Sequence, residues 1–177
     1  MHRVFLKPKK EESLQRFHPW IFSGAIASFE NGQPEEGEIV EVYTSRKDFI
    51  AVGHYQIGSI AIRVLSFQQE TIDYCFWKKR LEIAYTMRKS IGIATDPSNN
   101  TYRLVHGEGD NLSGLIIDIY DKTAVMQAHS PGMHFSRMDI AKALIEVMKG
   151  HLDNVYYKSE TTLPFKADLF PENGFLI

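Results

Sequence analysis

Apolar and polar positions alternate in short runs over the first seventy residues and then change rhythm. Val4-Phe5-Leu6, "EIVEVYT" (38–44), "FIAVGHY" (49–55) and "AIRVLSF" (61–67) are β-branched or aromatic and partly alternating. Asn31-Gly32, Pro34, Gly37 and Gly58-Ser59 punctuate them. Short strands at this spacing predict a small β-barrel or sandwich. From Asp73 to about Ile91 the apolar period becomes helical, with Trp77, Leu81, Ala84 (or Tyr85) and Arg88 on one stripe. Asp73 is placed to cap the helix and Gly92 to stop it.

Strands are then expected at 102–105, 115–120 and 123–128, a helix at about 136–149, and a last strand in "NVYYKS" (154–159). The second helix has an apolar face of Met138, Ala141, Leu144, Ile145 and Met148, with Ser136 as its cap and Gly150 as its end. The reading is an α+β chain. A small β-barrel-like domain spans 1–70, and a compact α/β domain (helix, three strands, helix, strand) spans 71–177. There is no internal repeat.

Composition narrows the class. The 177 residues are 44% hydrophobic and 24% charged, as in ordinary globular proteins. The net charge of −2 argues against general nucleic-acid coating, although a local basic face can still bind. With a single cysteine, Cys75, neither an internal disulfide nor a cysteine-built zinc site can form. Cys75 itself reads as a buried structural thiol. The N-terminus lacks a signal core and no run is long enough to span a membrane, so the chain reads as cytoplasmic.

The segment "RLVHGEGDNLSGLIIDIY" (103–120) is the one loop that suggests chemistry. Gly107-x-Gly109 and Gly114 do not make a dinucleotide fingerprint, because a strand pattern follows them and no helix N-terminus faces a phosphate. The glycines read as suppliers of positive φ in a hairpin connection. The competing reading is a cation or ligand site built from Glu108, Asp110 and Asp118. The histidines are scattered, and no nucleophile–base or acid–base spacing stands out.

The N-terminal stretch "FLKPKKEESLQRFHPWIFSGAI" (5–26) sets Lys7, Lys9, Lys10 and Arg16 among Phe17, His18 and Trp20. Cations beside aromatics suit RNA, whose phosphates meet Lys/Arg and whose bases stack on rings. The competing reading is a solvated face with Trp20 and Phe22 in the core. Arg46-Lys47 in a turn would extend the patch, and Lys78-Lys79-Arg80 forms a further basic cluster on the first helix.

"LQRFHPWIFSGAI" followed by "GEIVEVYTSRKDFIAVGHYQIGSIAIRVLSF" resembles the N-terminal PUA domain of bacterial 23S rRNA cytosine-5 methyltransferases that use S-adenosylmethionine. Arg16, His18-Pro19-Trp20, Gly24-Ala25-Ile26, Ala51, Gly53, Tyr55 and Arg63-Val64-Leu65 carry the likeness. "YRLVHGEGDNLSGLIIDIYDKTAVMQAHSPGM" (102–133) resembles a hairpin of the same family, with Ser113 where Pro is usual. The resemblance spans nearly the whole chain.

It implies an RNA-binding, substrate-positioning portion of an rRNA methyltransferase. Phosphate contacts are expected from Lys7, Lys9, Lys10 and Arg16, with His18, Arg46, Lys47, Lys78, Lys79 and Arg80 as further RNA-binding candidates. In the family the catalytic domain follows a segment like "PENGFLI" (171–177). The S-adenosylmethionine loop and the catalytic cysteine are therefore expected outside this sequence, so the chain alone is expected to be inactive and without cofactor. Its partners would be 23S rRNA and the methyltransferase domain of the same polypeptide, and apolar surface that this domain covers would also allow a homodimer. The rivals are a free-standing RNA- or protein-binding adaptor and a small metal-dependent enzyme at Glu108, Asp110 and Asp118.

Overall fold

The structure, a computed structural model, describes residues 2–177. The α+β reading holds. Six strands make the first sheet: β1 (His2–Leu6), β2 (Trp20–Phe22), β3 (Ile26–Glu30), β4 (Ile39–Tyr43), β5 (Phe49–Tyr55) and β6 (Ile60–Ser66), with a short helix α1 (Glu12–Gln15) between β1 and β2. Their order is β2-β6-β5-β4-β1-β3, antiparallel except for β1 beside β4. β2 and β3 escape the alternation analysis. β2 is only three residues long, and β3 shows no buried residue at all. The curled sheet closes on Val4, Leu6, Leu14, Val40, Val42, Ile62 and their neighbours.

Helix α2 (Tyr74–Ser90) starts where Asp73 accepts a hydrogen bond from the Phe76 amide. Its chain turns away at Gly92, whose φ is +83°. It buries Phe76, Trp77, Leu81, Ala84 and Tyr85, one face of a 3.6-residue period. Cys75, expected to be buried, is exposed. Two residues before Trp77 it lies about 200° round the helix from the buried face.

The second sheet is β7 (Thr101–His106), β8 (Leu115–Tyr120), β9 (Thr123–Ala128), β10 (Asn154–Tyr157) and β11 (Gly174–Phe175), in the order β11-β10-β9-β8-β7. β9 and β10 run parallel, and the crossover between them carries α3 (Pro131–Phe135) and α4 (Arg137–Val147). The helix expected at 136–149 therefore begins five residues earlier and breaks at Ser136. Ser130 is the true cap, accepting from the Met133 amide, with Pro131 in the first turn, while Ser136 makes no capping bond. The buried face is turned accordingly. Ile140 and Ala143 are buried, whereas Met138 is 37% exposed.

The loop 107–114 does connect an antiparallel pair. It runs through a single 3-10 turn, with φ of +48° at Gly107 and +86° at Gly114. A strand follows it, so no helix N-terminus is available for a phosphate.

The two sheets meet along a seam. His54 of β5 stacks on Trp77 of α2 at 6.0 Å and lies over Gly132 of α3, where a Cβ would come within 2.1 Å of the imidazole. Leu65 of β6 packs into the core of the second sheet.

His54 is fully buried, its Nδ1 has no partner among the described residues, and burial pushes its pKa from 6.5 to about 4. Below about pH 6.5 the unfolded chain takes up a proton that the folded chain refuses until about pH 4. Stability is therefore complete above this window and falls by about 3 kcal/mol across it as pH is lowered. Urea unfolding at the two ends of the window should show this loss. His54→Gln should remove much of it, and equal wild-type stabilities would contradict the burial argument.

Candidate nucleic-acid interface

Register brings the basic residues together. Phe5 of β1 lies beside Tyr43 of the parallel strand β4, so the loops that begin at Lys7 and at Thr44 leave the same end of the sheet. The first loop carries Lys7, Lys9, Lys10 and Arg16 and the second carries Arg46 and Lys47, all exposed. Lys7 donates to the Gly24 carbonyl at 2.9 Å, which ties the loop to the β2–β3 corner. Lys9 and Lys47 sit at turn positions with φ of 65° and 69°.

His18 faces its own chain. Its Nδ1 accepts from the Trp20 amide at 3.2 Å and so shapes the His-Pro-Trp turn. The ring exposed at this end is Phe17, 72% exposed and in the left-handed region at φ 60°. That conformation is unusual for a bulky side chain and is kept where the surrounding structure demands it. Phe17 meets Phe67 edge-on at 5.2 Å.

The cluster on α2 does not act as one patch, because consecutive helical residues point about 100° apart. Lys78 pairs with Glu146 of α4 at 2.6 Å. Arg80 donates to the Leu65 carbonyl and lies over the Phe76 ring. Lys79 is exposed and, with Arg80, lines a groove of about 380 Å3 that also holds Pro19 and Phe67. The groove also holds Glu70, 4.0 Å from Arg80, and runs from Pro19 to α2.

The acidic trio does not converge. Each carboxylate meets an arginine from a different strand or helix. Arg88 of α2 grips Asp110 with both terminal nitrogens, and Arg103 of β7 grips Asp118 at 2.8 and 3.1 Å. Arg63 of β6 stands 3.5 Å from Glu108. Among the described residues no group of three His, Cys, Asp or Glu side chains forms a metal site.

The third of these pairs belongs to the seam and was not legible in the sequence. Trp20 Nε1 donates to Glu108 Oε1 at 3.0 Å and to Ser113 Oγ at 3.1 Å. Ser113 in turn donates to Glu108 at 2.7 Å and accepts from Arg63 at 3.3 Å. The Arg63 guanidinium lies 5.8 Å from the Trp20 ring centre and gives its Nε to Gln56. Trp20 is thus half-buried between the sheets, neither a barrel-core residue nor a free stacking platform.

Burial lowers the Arg63 pKa, and Glu108 opposes that effect. Burial alone would raise Glu108. Hydrogen bonds from Ser113, its own backbone and Trp20, together with Arg63, outweigh it and hold the carboxyl below its usual range. His129, packed nearby, is lowered by burial and by Arg63. Ser113 is the position where the resembling family carries proline, and its hydroxyl is the centre of this network.

Residues 4–67 match the family of PUA-like domains. Over 98% of its length the chain is 35% identical to ribosomal RNA large subunit methyltransferase I of Alteromonas mediterranea, and it is 37% identical to the protein of that name from Photobacterium profundum. It covers 43% of each relative, so it spans less than half the length of the curated relatives it matches. In fold it is similar to a candidate SAM-dependent methyltransferase from Streptococcus mutans, with TM-score 0.76, 18% identity, and coverage of 90% of this chain and 41% of that one. A candidate methyltransferase complexed with SAH gives TM-score 0.77, 17% identity, and coverage of 97% and 43%. The resemblance drawn from the sequence is borne out. The chain carries a PUA-like domain and matches, over nearly its whole length, part of a ribosomal RNA methyltransferase.

Ser113→Ala removes an acceptor for Trp20 and Arg63 and a donor to Glu108, in a position that is 1% exposed. It should cost about 1–3 kcal/mol in chemical denaturation. Loss of one of the two hydrogen bonds that Trp20 Nε1 donates should also shift tryptophan emission. An unchanged midpoint and spectrum would show that the seam does not depend on this hydroxyl.

Proposed function

We propose that this chain is the RNA-binding, substrate-positioning portion of a SAM-dependent ribosomal RNA methyltransferase. Residues 1–70 act as the RNA-gripping domain, and 71–177 as the middle domain that sets its orientation. The observation that carries the reading is the single exposed end of the PUA-like sheet. There the loops bearing Lys7, Lys9, Lys10, Arg16, Arg46 and Lys47 leave together, Phe17 is exposed, and the groove holding Lys79 includes Phe67, which Phe17 touches. Cations bind phosphates through counterion release, and an exposed ring offers a stacking face for an unpaired base. His18 acts by holding the turn, and Lys78 is committed to Glu146. The relatives' name points to the large ribosomal subunit, hence to 23S rRNA, and the resemblance points to carbon 5 of cytosine.

The glycine-rich loop does not fit S-adenosylmethionine. The one glycine-rich loop leads into β8, a strand, and its two carboxylates are engaged by Arg63 and Arg88. We assign the cofactor and the methyl transfer to the part of the relatives' length that this chain does not cover. Among the described residues no helix is long and apolar enough to cross a membrane, and the proposed setting is the cytoplasm.

The test is binding to structured 23S rRNA fragments across a salt series. Lys9→Glu with Lys10→Glu should weaken binding most at low salt and lower the log–log salt slope by about 1 for each phosphate no longer neutralised. An Arg46→Glu, Lys47→Glu pair should behave likewise. An unchanged slope in both would place the RNA on another face.

A further inference from the structure

At the seam a cavity of about 230 Å3 opens between the sheets, lined among others by Arg63, His106, Glu108, Gly114, Ile116 and His129. Its walls hold opposite charges close together, with Arg63 Nη1 3.5 Å from Glu108 Oε1. Both groups keep unused capacity. Arg63 gives Nε to Gln56 and Nη1 to Ser113, which leaves Nη2 without a partner among the described residues. Glu108 receives Trp20 and Ser113 on Oε1, which leaves Oε2 without a partner from another residue among those described. The His129 ring lines the same cavity, and its buried Nε2 has no partner among the described residues.

This pairing discriminates among ligands. A phosphate would be drawn to Arg63 and repelled by Glu108, and a metal or ammonium ion would meet the reverse. A neutral planar group with an acceptor beside an N–H donor satisfies both at once, and the edge of a nucleobase is such a group. The apolar part of the wall, from Ile116, suits the ring. The volume lies below the roughly 300–1,000 Å3 typical of sites for drug-sized ligands, so it suits a single base rather than a stacked run.

We propose that the seam cavity receives one unpaired nucleobase of the bound RNA, with Arg63 donating to a ring acceptor and Glu108 accepting from an N–H of the same base. The inference rests on the RNA-binding reading and deepens it. The basic end grips phosphates without regard to sequence, whereas this cavity reads a base and touches both sheets at once.

The experiment is anisotropy of a labelled, short, mixed-sequence single-stranded RNA across a salt series. Ile116→Phe fills the cavity, and His129→Ala alters its wall without removing a bond of the seam. Each should weaken binding roughly tenfold, the scale of one base's contribution, while the salt slope stays as in wild type. Circular dichroism and tryptophan emission check that both variants are folded. In oligomers carrying one abasic position each, a single position should reproduce the loss in wild type and cause no further loss in Ile116→Phe. If both variants bind as wild type while the Lys9/Lys10 charge reversal weakens binding, the cavity proposal falls and the RNA-binding reading stands. If wild type binds no RNA at any salt, both fall together.

Discussion

The guanidinium of Arg63 holds this molecule's two sheets in one arrangement. It lies on β6, beneath the Trp20 ring of β2, and reaches across to Glu108 and Ser113 in the loop between β7 and β8. A partly buried cation needs both a counter-charge and hydrogen-bond acceptors, and here the second sheet supplies most of them. Separating the sheets would leave Arg63 with Gln56 alone. The orientation of the PUA-like half on its neighbour is therefore written in polar chemistry, with His54, Trp77 and Gly132 as its apolar counterpart.

That seam gives the middle part a mechanical meaning. A basic surface on a free-swinging domain would bind RNA without aiming it. Here the loops bearing Lys7 to Arg16 and Arg46-Lys47 sit on a sheet whose angle is set by packing and ion pairing against α2, α3 and the β7–β8 loop. The groove holding Lys79 and Arg80 lies on that junction. On the proposed reading, RNA laid along it would touch both halves.

Much of the fold was legible from the chain's periodicities. β5, β8 and β9 fall where alternation put them, and α2 follows its stripe from Asp73 to Gly92, because each pattern reports burial against a single face. The failures have separate causes. β3 and β2 are too short or too exposed to alternate, and Ser136 looks like a cap only if Ser130-Pro131 is ignored. Cys75 looks buried by residue type, but its place on the helix puts it outside.

The candidate site divides along the same line. Local sequence shows that cations and rings are concentrated between Lys7 and Trp20, and that Glu108, Asp110 and Asp118 crowd one hairpin. It cannot show which of these groups face solvent and which face each other. Strand register placed Lys7 and Arg46 at one end, and helical phase sent Lys78 to Glu146 and Lys79 to the groove. Three arginines distant in sequence turned an apparent metal site into three separate ion pairs. The chain alone determined its element types and its local chemistry, because these depend on neighbours within a few residues. Only the tertiary structure decided the partners of Trp20, Arg63 and Ser113, because those bonds join positions separated by as many as 93 residues.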